Sequence, residues 1–497
     1  MTGTFAELRR LFSSAALYAL GGLAQRGVGF LLIPVYTRVI EPAEYGVLEI
    51  LNAFSGVFFA VLTLGLTSAI NKCWHRDCES DADRRKLLGT ALLIDLPILL
   101  AGAGLLVWFA APVSRMLLGH DGAAGLMPLV AASAVTFSVG TLVFGTLRAQ
   151  ERAGAFGALT LAQFVLGLGL NVLFVVGFQW GIRGILLGNL LSQALSLPLA
   201  LWMAGAMRRF VLDRRLAGHL LRFGVMLVPV MLAAWVMDQS DRYLLGRMRG
   251  LEEVAVYGVG YKFGSVVDLL VVWPFQLAWP AFSFAISNRA GHRETYARTL
   301  TYFTLLLAVV LVAVSVLARG GLGLLVGERY AAAATVVPLV ALAYALNGLH
   351  FCVSPGVHLA GRTRVFPWLA AAAAVVNVGM NLLLIPAWGM VGAAWATVLA
   401  FAVLSGGTMV VAQRAYPVPY EYGRLARVLG VGAVVWVLAG AVRLEGGVAT
   451  LALQLGALVL AFPLLLAGLG FFDASERAAL GRLVERARAR LPIARPS

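Results

Sequence analysis

The feature that most constrains this chain is a long series of apolar stretches, each close to the roughly 20 residues that a helix needs to cross a bilayer. Hydrophobic residues make up 60% of the 497 residues and charged residues 13%, with a mean hydropathy of +0.87, whereas soluble domains carry about 25% charged residues. A soluble enzyme, a disordered chain and a secreted disulfide scaffold are therefore excluded. The pattern predicts an all-α polytopic membrane protein with about fourteen transmembrane helices, at residues 13–36, 46–71, 88–111, 125–146, 155–178, 183–205, 222–246, 254–284, 299–318, 333–354, 366–386, 390–411, 424–442 and 448–470.

The distribution of basic residues predicts the orientation of these helices. Of the 39 Lys and Arg residues, 28 fall on the side of the amino terminus, 8 on the opposite side and 3 inside predicted spans. Because loops rich in Lys and Arg stay in the cytoplasm, both termini are expected there, in a multi-pass protein of the cytoplasmic (inner) membrane. The net charge of +15 does not indicate a nucleic-acid partner, since the basic residues form short clusters between apolar runs and no single patch.

Three motifs occur twice, in the same order, which indicates an internal repeat of six spans. Because six is even, the two copies would have the same orientation and form two lobes around an axis along the membrane normal, with a cavity between them. The domains expected are an N-lobe at 1–205, a C-lobe at 206–411, two extra helices at 412–472 and a tail at 473–497. The repeated motifs are 41–47 with 253–259 and 147–152 with 359–364, both displaced by 212 residues, and 180–184 with 388–392, displaced by 208.

The tail has the pattern of a basic amphipathic helix. Asp473 and Glu476 have the spacing of a capping box. Apolar residues then recur at helical spacing beside five arginines, up to residue 491. This favours a helix on an anionic lipid surface, and the alternative is a solvated charged tail.

Three segments carry a family resemblance. Residues 36–46 (YTRVIEPAEYG) look like the first helix and loop of the polysaccharide flippases, and Asp241-Arg242-Tyr-Leu-Leu-Gly246 looks like their seventh helix. Residues 381–394, with Asn381 and Trp388-Gly389, resemble the turn between their eleventh and twelfth helices. The chain thus resembles the multidrug/oligosaccharidyl-lipid/polysaccharide (MOP) exporter superfamily, and within it the Wzx-type flippases of lipid-linked oligosaccharides. The resemblance implies a two-lobed exporter that works by alternating access.

An ionisable residue inside a span costs about 2.5–3.5 kcal/mol on insertion scales and normally faces an aqueous cavity. Arg26 lies in the middle of the first span and shares a helix face with Tyr18 and Gly22. A guanidinium fork suits a pyrophosphate group, so these residues are candidates for substrate binding. The alternative is an arginine that is paired with a carboxylate for packing alone.

Spans 7 and 8 carry the other candidates. Under the 212-residue displacement Arg26 aligns with Asp238, which shares a helix face with Asp241 and Arg242. We predict a gate or counter-charge there, and the alternative is that Asp241 and Arg242 neutralise each other. On span 8 the candidate sugar-binding residues lie on one face, whereas Lys262 points about 120° away from Asp268, so that both face one cavity only if the helix bends. These candidates are Tyr257, Tyr261, Ser265 and Asp268.

Two further carboxylates are candidates for ion coupling. Asp95 stands alone in span 3, where buried carboxyl groups often titrate, and the alternative is a neutral, packed side chain. Glu49 lies early in span 2, near the expected interface. Cys73, His75 and Cys78 supply three possible zinc ligands without a fourth, and nucleophile-elbow, P-loop and zinc-protease motifs are absent from the sequence, so neither a cofactor nor enzymatic chemistry is expected.

The expected function is therefore the translocation of a polyprenyl-diphosphate-linked oligosaccharide across the cytoplasmic membrane. The expected partners are membrane lipids, this lipid-linked glycan, and polymerase or glycosyltransferase enzymes of polysaccharide synthesis. A cation-coupled multidrug exporter of the same superfamily is the first alternative, but it calls for a carboxylate where span 1 offers Arg26. A membrane glycan polymerase or ligase is the second alternative, and it calls for a long extracytoplasmic loop, which the sequence lacks.

Overall fold

The computed structural model describes residues 29–205, 210–441 and 447–473, together with Gly27 and Glu476. Tyr18, Gly22 and Arg26, most of the first predicted span and nearly all of the predicted basic tail lie outside these residues. The described part of the chain is helical, and it contains no strand. The predicted all-α class is therefore confirmed.

The N-lobe begins with α1 and ends with α8. Short π-helical turns at Cys73–Asp77 and Leu173–Gly177 follow α3 and α7, and a 3₁₀ turn at Asp121–Leu126 precedes α6. The helices are α1 Ile33–Val39, α2 Pro42–Leu62, α3 Leu66–Lys72, α4 Asp81–Trp108, α5 Ala110–Leu118, α6 Met127–Ala149, α7 Ala153–Val172 and α8 Gly181–Ala204.

The C-lobe comprises α9 to α14, and two further helices follow it. A π-helical turn at Asp268–Val272 joins α10 to α11, and 3₁₀ turns at Glu328–Thr335 and Thr363–Val365 precede α13 and α14. The helices are α9 Arg214–Arg249, α10 Leu251–Gly264, α11 Trp273–Ile286, α12 His292–Val326, α13 Val337–Leu359, α14 Phe366–Ala415, α15 Tyr422–Ala441 and α16 Gly447–Gly468.

Local sequence signals explain where many of these helices begin. Proline occupies one of the first two positions of α2, α6, α11, α13 and α14, where its missing N–H costs nothing. A capping box of Ser80 and Asp83 begins α4, and the Asp213 carboxylate accepts hydrogen bonds from the first-turn amides of α9.

Eleven helices in the described residues are long and apolar enough to cross a membrane. One of them, α14, reverses direction at Gly389, whose φ of 52° is not helical. Both ends of α14 consequently lie beside the carboxyl end of α13, where Phe366 contacts His358 and Ala412 faces Gly356. A polytopic membrane protein is confirmed, and the total of fourteen spans stays a prediction.

Contacts made at the loops between helices show which loops lie at the same end of the bundle. At one end, which we call the basic end, Asp213 pairs with Lys86, Gln150 donates to the Ala204 carbonyl, and His292 contacts Tyr416. At the other, which we call the opposite end, Tyr243 donates to the Met116 carbonyl and Tyr45 packs on Tyr330. Alternate connections therefore lie at alternate ends, and most of the lysines and arginines of the described connections are at the basic end.

A matched pair of contacts relates the two lobes. Glu44, in the first turn of α2, accepts a hydrogen bond from the Ile182 amide at the start of α8, 2.9 Å away. Glu253, in the first turn of α10, accepts one from the Met390 amide, 2.7 Å away. The preceding glycines, Gly181 and Gly389, have nearly the same φ, 53° and 52°. These contacts support a repeat with a displacement of 208 or 209 residues (182 to 390, 44 to 253). The predicted equivalence of Arg26 and Asp238 involves a residue outside the described part of the chain and stays a prediction.

The two additional helices pack on the outside of the C-lobe. Buried side chains of α15 and α16 contact α12 in one apolar cluster, which includes Val316, Val428 and Phe462. A larger apolar cluster lies where the lobes meet, and it includes Tyr45 of α2, Leu245 of α9 and Val254 of α10. The lobe interface is thus packed around α2, α9 and α10.

Candidate functional site

A cavity of about 1040 Å³ lies between the lobes, at the upper end of the size range typical of ligand pockets. In the described residues its wall comes mainly from the C-lobe, with Gly29, Phe30 and two residues of α2, Asn52 and Gly56, on the N-lobe side. It extends from Lys262, in the middle of the bundle, to His358 and Phe366 at the basic end. Its polar and charged lining residues are Asn52, Asp238, Gln239, Lys262, Ser265, Asp268, Gln276, Tyr344, Asn347, His350, Ser354 and His358.

Ion pairs between the lobes lie between this cavity and the opposite end. The Glu49 carboxylate of α2 contacts both Lys262 of α10 and Arg242 of α9, whose Nε atom is 3.4 Å from Glu49 Oε2. Lys262 also donates to the Tyr45 hydroxyl over 2.7 Å. Glu49 and Arg242 are 3% and 4% exposed. We call Glu49, Asp241, Arg242 and Lys262 the charged belt, and it joins the lobes where they would have to separate for the cavity to open at that end.

A glycine makes room for the Glu49 carboxylate. A Cβ atom at Gly258 of α10 would lie 2.7 Å from Glu49 Cδ, closer than real Cβ contacts. By the 209-residue displacement Gly258 is the counterpart of Glu49 itself, so the two residues meet near the axis that relates the lobes. The carboxylate of one repeat therefore occupies space that the other repeat leaves open by having a glycine, Gly258, at the corresponding position.

Tyrosines hold the two acidic residues of α9. Tyr257 donates to Asp241 Oδ2 over 2.5 Å, and Asp241 also lies 3.4 Å from the Arg242 guanidinium. Tyr261 and Tyr344 donate to Asp238 Oδ1 over 2.8 and 2.9 Å. Asp238 lines the cavity, whereas Tyr257 and Tyr261 are buried outside its lining. The two predicted sugar-binding tyrosines of α10 thus position carboxylates in this structure.

The charged belt is costly to break from one side only. Glu49, Asp241 and Arg242 are buried together beside the partly exposed Lys262, and their mutual contacts offset the desolvation of each group. Removal of one member would take a partner from a buried charge, at a cost of up to about 3–5 kcal/mol. Because Glu49 is the only belt residue from the N-lobe, this cost falls on the contact between the lobes.

The predicted conflict between Lys262 and Asp268 is resolved by a local change of helix geometry. Helix α10 ends at Gly264, and a π-helical turn begins at Asp268. Lys262, Ser265 and Asp268 all line the cavity as a result. π-Helical turns are frequently found at functional sites, which agrees with the position of this one in the cavity wall.

The remaining candidates lie away from the cavity or outside the described residues. Asp95 is fully buried in the N-lobe, where it accepts a hydrogen bond of 2.8 Å from Ser138, and it is absent from the cavity lining given above. Arg26, Tyr18 and Gly22 are not described. The sequence analysis missed Tyr45, Tyr344 and the amide residues Asn347 and Gln276, because an isolated polar residue on an apolar helix produces no periodic signal.

Comparison with known proteins agrees with this architecture. Residues 11–285 match the model of a family described as polysaccharide biosynthesis protein. The chain is 24% identical over 355 residues to the succinoglycan biosynthesis transport protein ExoT of Rhizobium meliloti. The matched region covers 71% of this chain and 70% of ExoT.

Solved structures of transporters share the fold. The lipid II flippase MurJ, in an inward closed conformation, superposes with a TM-score of 0.75 at 12% identity, over 92% of this chain and 97% of MurJ. A MATE transporter of Vibrio cholerae superposes with a TM-score of 0.60 at 16% identity, over 84% of this chain and 98% of that chain.

The fold and the cavity between its lobes define a polytopic membrane protein that shares the fold of these solved transporters. The chain belongs to the polysaccharide biosynthesis protein family, because the family model covers more than half of its length.

Proposed function

We propose that this protein moves a polyprenyl-diphosphate-linked oligosaccharide across the cytoplasmic membrane by alternating access. The observation that carries the proposal is the cavity between the lobes, which leads to the basic end and is separated from the opposite end by the charged belt. Its relatives in transport and polysaccharide synthesis support the same substrate class. The glycan and diphosphate would occupy the cavity while the lipid tail stays in the bilayer.

The orientation follows from the charges of the connections. The basic end is rich in lysine and arginine, so it would face the cytoplasm, with both termini on that side. The structure would then represent the state that accepts substrate from the cytoplasmic leaflet. Separation of Glu49 from Lys262 and Arg242 would release the glycan on the other side.

Arg26 remains the candidate for the diphosphate. Its guanidinium would provide a fixed charge and two-pronged hydrogen bonds to the substrate. We expect Arg26→Ala to abolish transport in a protein that still folds, and Arg26→Lys to lower it by about tenfold. If Arg26 serves packing alone, Arg26→Ala would instead lower abundance, and a second change of Asp238 or Asp241 to alanine would restore it.

The test is translocation in proteoliposomes that contain the full chain and a polyprenyl diphosphate bearing a neutral oligosaccharide. Export is measured as the fraction of glycan that an added glycosidase reaches. Wild-type protein should raise this fraction well above that of empty liposomes, and Arg26→Ala should not. Wild-type protein that leaves the fraction unchanged would overturn the proposal, and the same vesicles loaded with a cationic dye would then test multidrug export.

Coupling to an ion can be tested in the same vesicles. Asp95 and Glu49 are the candidate coupling carboxylates, although Glu49 already has two cationic partners in this state. If Asp95 couples transport to protons, Asp95→Asn should remove the response to an imposed pH gradient. An unchanged response would leave Asp95 as a packed side chain that Ser138 satisfies.

A further inference from the structure

The half of the cavity towards the basic end is lined differently from the half near the charged belt. Asn347, His350 and Ser354 follow one another at helical spacing on one face of α13, and Gln276 of α11 lies on the same cavity. We call these four residues the neutral wall. Asn347 is twelve residues, or about 18 Å of helix, before the basic end of α13. Gly264, two residues after Lys262, faces Val337 and Val340 of α13, and Asn347 lies seven residues, about 10 Å of helix, beyond Val340. The wall is therefore closer to the basic end than Lys262 is.

Hydrogen bonds fix what His350 presents to the cavity. Thr408 donates its hydroxyl proton to the Leu404 carbonyl over 2.7 Å, so its oxygen can only accept from the His350 ring, 2.8 Å away. The proton of the neutral imidazole must then lie on Nδ1. Nε2 is left as a hydrogen-bond acceptor.

The other three residues complete a mixed set of donors and acceptors. Ser354 donates to the Phe351 carbonyl over 3.0 Å, which leaves its oxygen as an acceptor. The side-chain amides of Asn347 and Gln276 line the cavity, and each offers two donors and an acceptor. The neutral wall thus presents acceptors as well as donors and no fixed charge.

This set complements hydroxyl groups and does not complement a phosphate. A sugar hydroxyl donates one hydrogen bond and accepts others, so it can use every group of the wall. A diphosphate only accepts, and it would face the bare acceptor atoms of His350 and Ser354. Aromatic rings of Trp273, Phe351 and Phe366 line the same half of the cavity and can cover the apolar faces of sugar rings.

We propose that the neutral wall binds the sugar rings of the carried glycan, at a site distinct from the position of its diphosphate. This inference rests on the proposed function. A headgroup drawn into the cavity would place its diphosphate near the middle of the bundle and its sugars along α13 towards the basic end. The wall would then determine which glycans are transported efficiently.

Two lipid-linked substrates with glycans of different length distinguish binding of the sugar from binding of the diphosphate. Proteoliposomes receive a polyprenyl diphosphate that bears one hexose, or the same lipid with a neutral tetrasaccharide. We expect Asn347→Ala and Gln276→Ala each to lower transport of the tetrasaccharide carrier about five- to tenfold at subsaturating concentration, because a hydrogen bond is lost. Transport of the hexose carrier should fall less than twofold.

Asn71→Ala is the matched control, since Asn71 is exposed on α3 and lies outside the cavity lining. It should leave both rates unchanged, and thermal unfolding of all three variants should match the wild type. Equal losses for both carriers in Asn347→Ala, or no loss for either, would overturn the neutral wall as a glycan site. Failure of the proposed function itself has a different signature, in which the wild-type protein transports neither carrier.

Discussion

The two lobes share a scaffold but differ in the residues that they bring to their interface. Glu44 and Glu253 cap corresponding helices in the same way, 2.9 and 2.7 Å from their amide partners. One turn further along, the N-lobe contributes Glu49 and the C-lobe contributes Gly258 at the corresponding position, together with Lys262. Contacts within each repeat have thus stayed alike, whereas residues at the interface have diverged to complement each other.

This difference indicates how a repeat protein acquires a gate. An interface between identical repeats would bring like charges together, and two copies of Glu49 near the axis would repel each other. A glycine in one copy and a carboxylate in the other remove the repulsion and allow close packing. The asymmetry therefore places both cross-lobe ion pairs of the charged belt on one N-lobe residue.

The largest effect is expected from Glu49→Ala. It would leave the buried Arg242 and the partly exposed Lys262 without their cross-lobe partner, at up to about 3–5 kcal/mol, and should lower transport by roughly 100-fold or more. Translocation and thermal unfolding should be measured together. Glu79→Ala is the control, because solvent screens its exposed pair with Arg215 and the pair contributes little to stability. Equal effects of the two variants would show that the charged belt has no special role.

Next in size is Gly258→Ala, which tests the glycine side of the comparison. The added Cβ would lie 2.7 Å from Glu49 Cδ and should destabilise the closed interface by about 1–3 kcal/mol. Gly379→Ala is the control, since a Cβ there has no neighbour within 4 Å. A thiol reagent added at the opposite end should label a cysteine placed at Asn52 faster in Gly258→Ala than in the wild type, and Gly379→Ala should not change the rate. Unchanged labelling would contradict the close packing.

The sequence predicts the scaffold better than the interface. Apolar runs are sufficient to predict an all-α membrane protein, because helices depend on local pattern. The ionisable residues of the belt also stand out, since charges inside spans are costly. Their partners do not, because the pairing of Glu49 with Lys262 depends on how α2 packs on α10. Glu49 is predicted only as a coupling candidate near the membrane interface, and the contribution of Gly258 is visible only once the helices are packed.

Smaller losses of stability, similar in the two lobes, are expected when Glu44 or Glu253 is replaced, since each caps the corresponding helix of its own lobe. Glu44→Ala and Glu253→Ala each remove one hydrogen bond to a helix start and should cost about 1 kcal/mol of stability. The two contacts lie in different lobes and share no partner, so the double variant should lose the sum. Thermal unfolding of the single and double variants measures this. A loss several-fold larger in one lobe would argue against an equivalent role in the repeat.

The smallest effect is expected at the basic end, in the connection between the lobes. Hydrogen bonds from the Leu216 and Arg215 amides, with Lys86 nearby, hold the pKa of Asp213 below its usual value. A carboxylate with a lowered pKa stabilises the folded state above its unfolded pKa, and this stabilisation is lost as the pH falls through the folded pKa. Asp213→Ala should therefore cost less than about 1 kcal/mol at pH 7, and no difference from the wild type should remain at a pH well below about 4. A difference that persists there would contradict this assignment.

The distance between the lobes at the opposite end tests the central claim most directly. Spin labels at Asp121→Cys of the N-lobe and Glu328→Cys of the C-lobe, both exposed, would be placed in a chain whose three native cysteines are replaced by alanine. Pulsed electron resonance would compare the wild-type belt with Glu49→Gln, with and without a polyprenyl-diphosphate-linked oligosaccharide. We predict one short distance for the wild type without substrate, and a longer population with substrate or in Glu49→Gln. A distance distribution that stays the same in all four samples would contradict a gate at the charged belt.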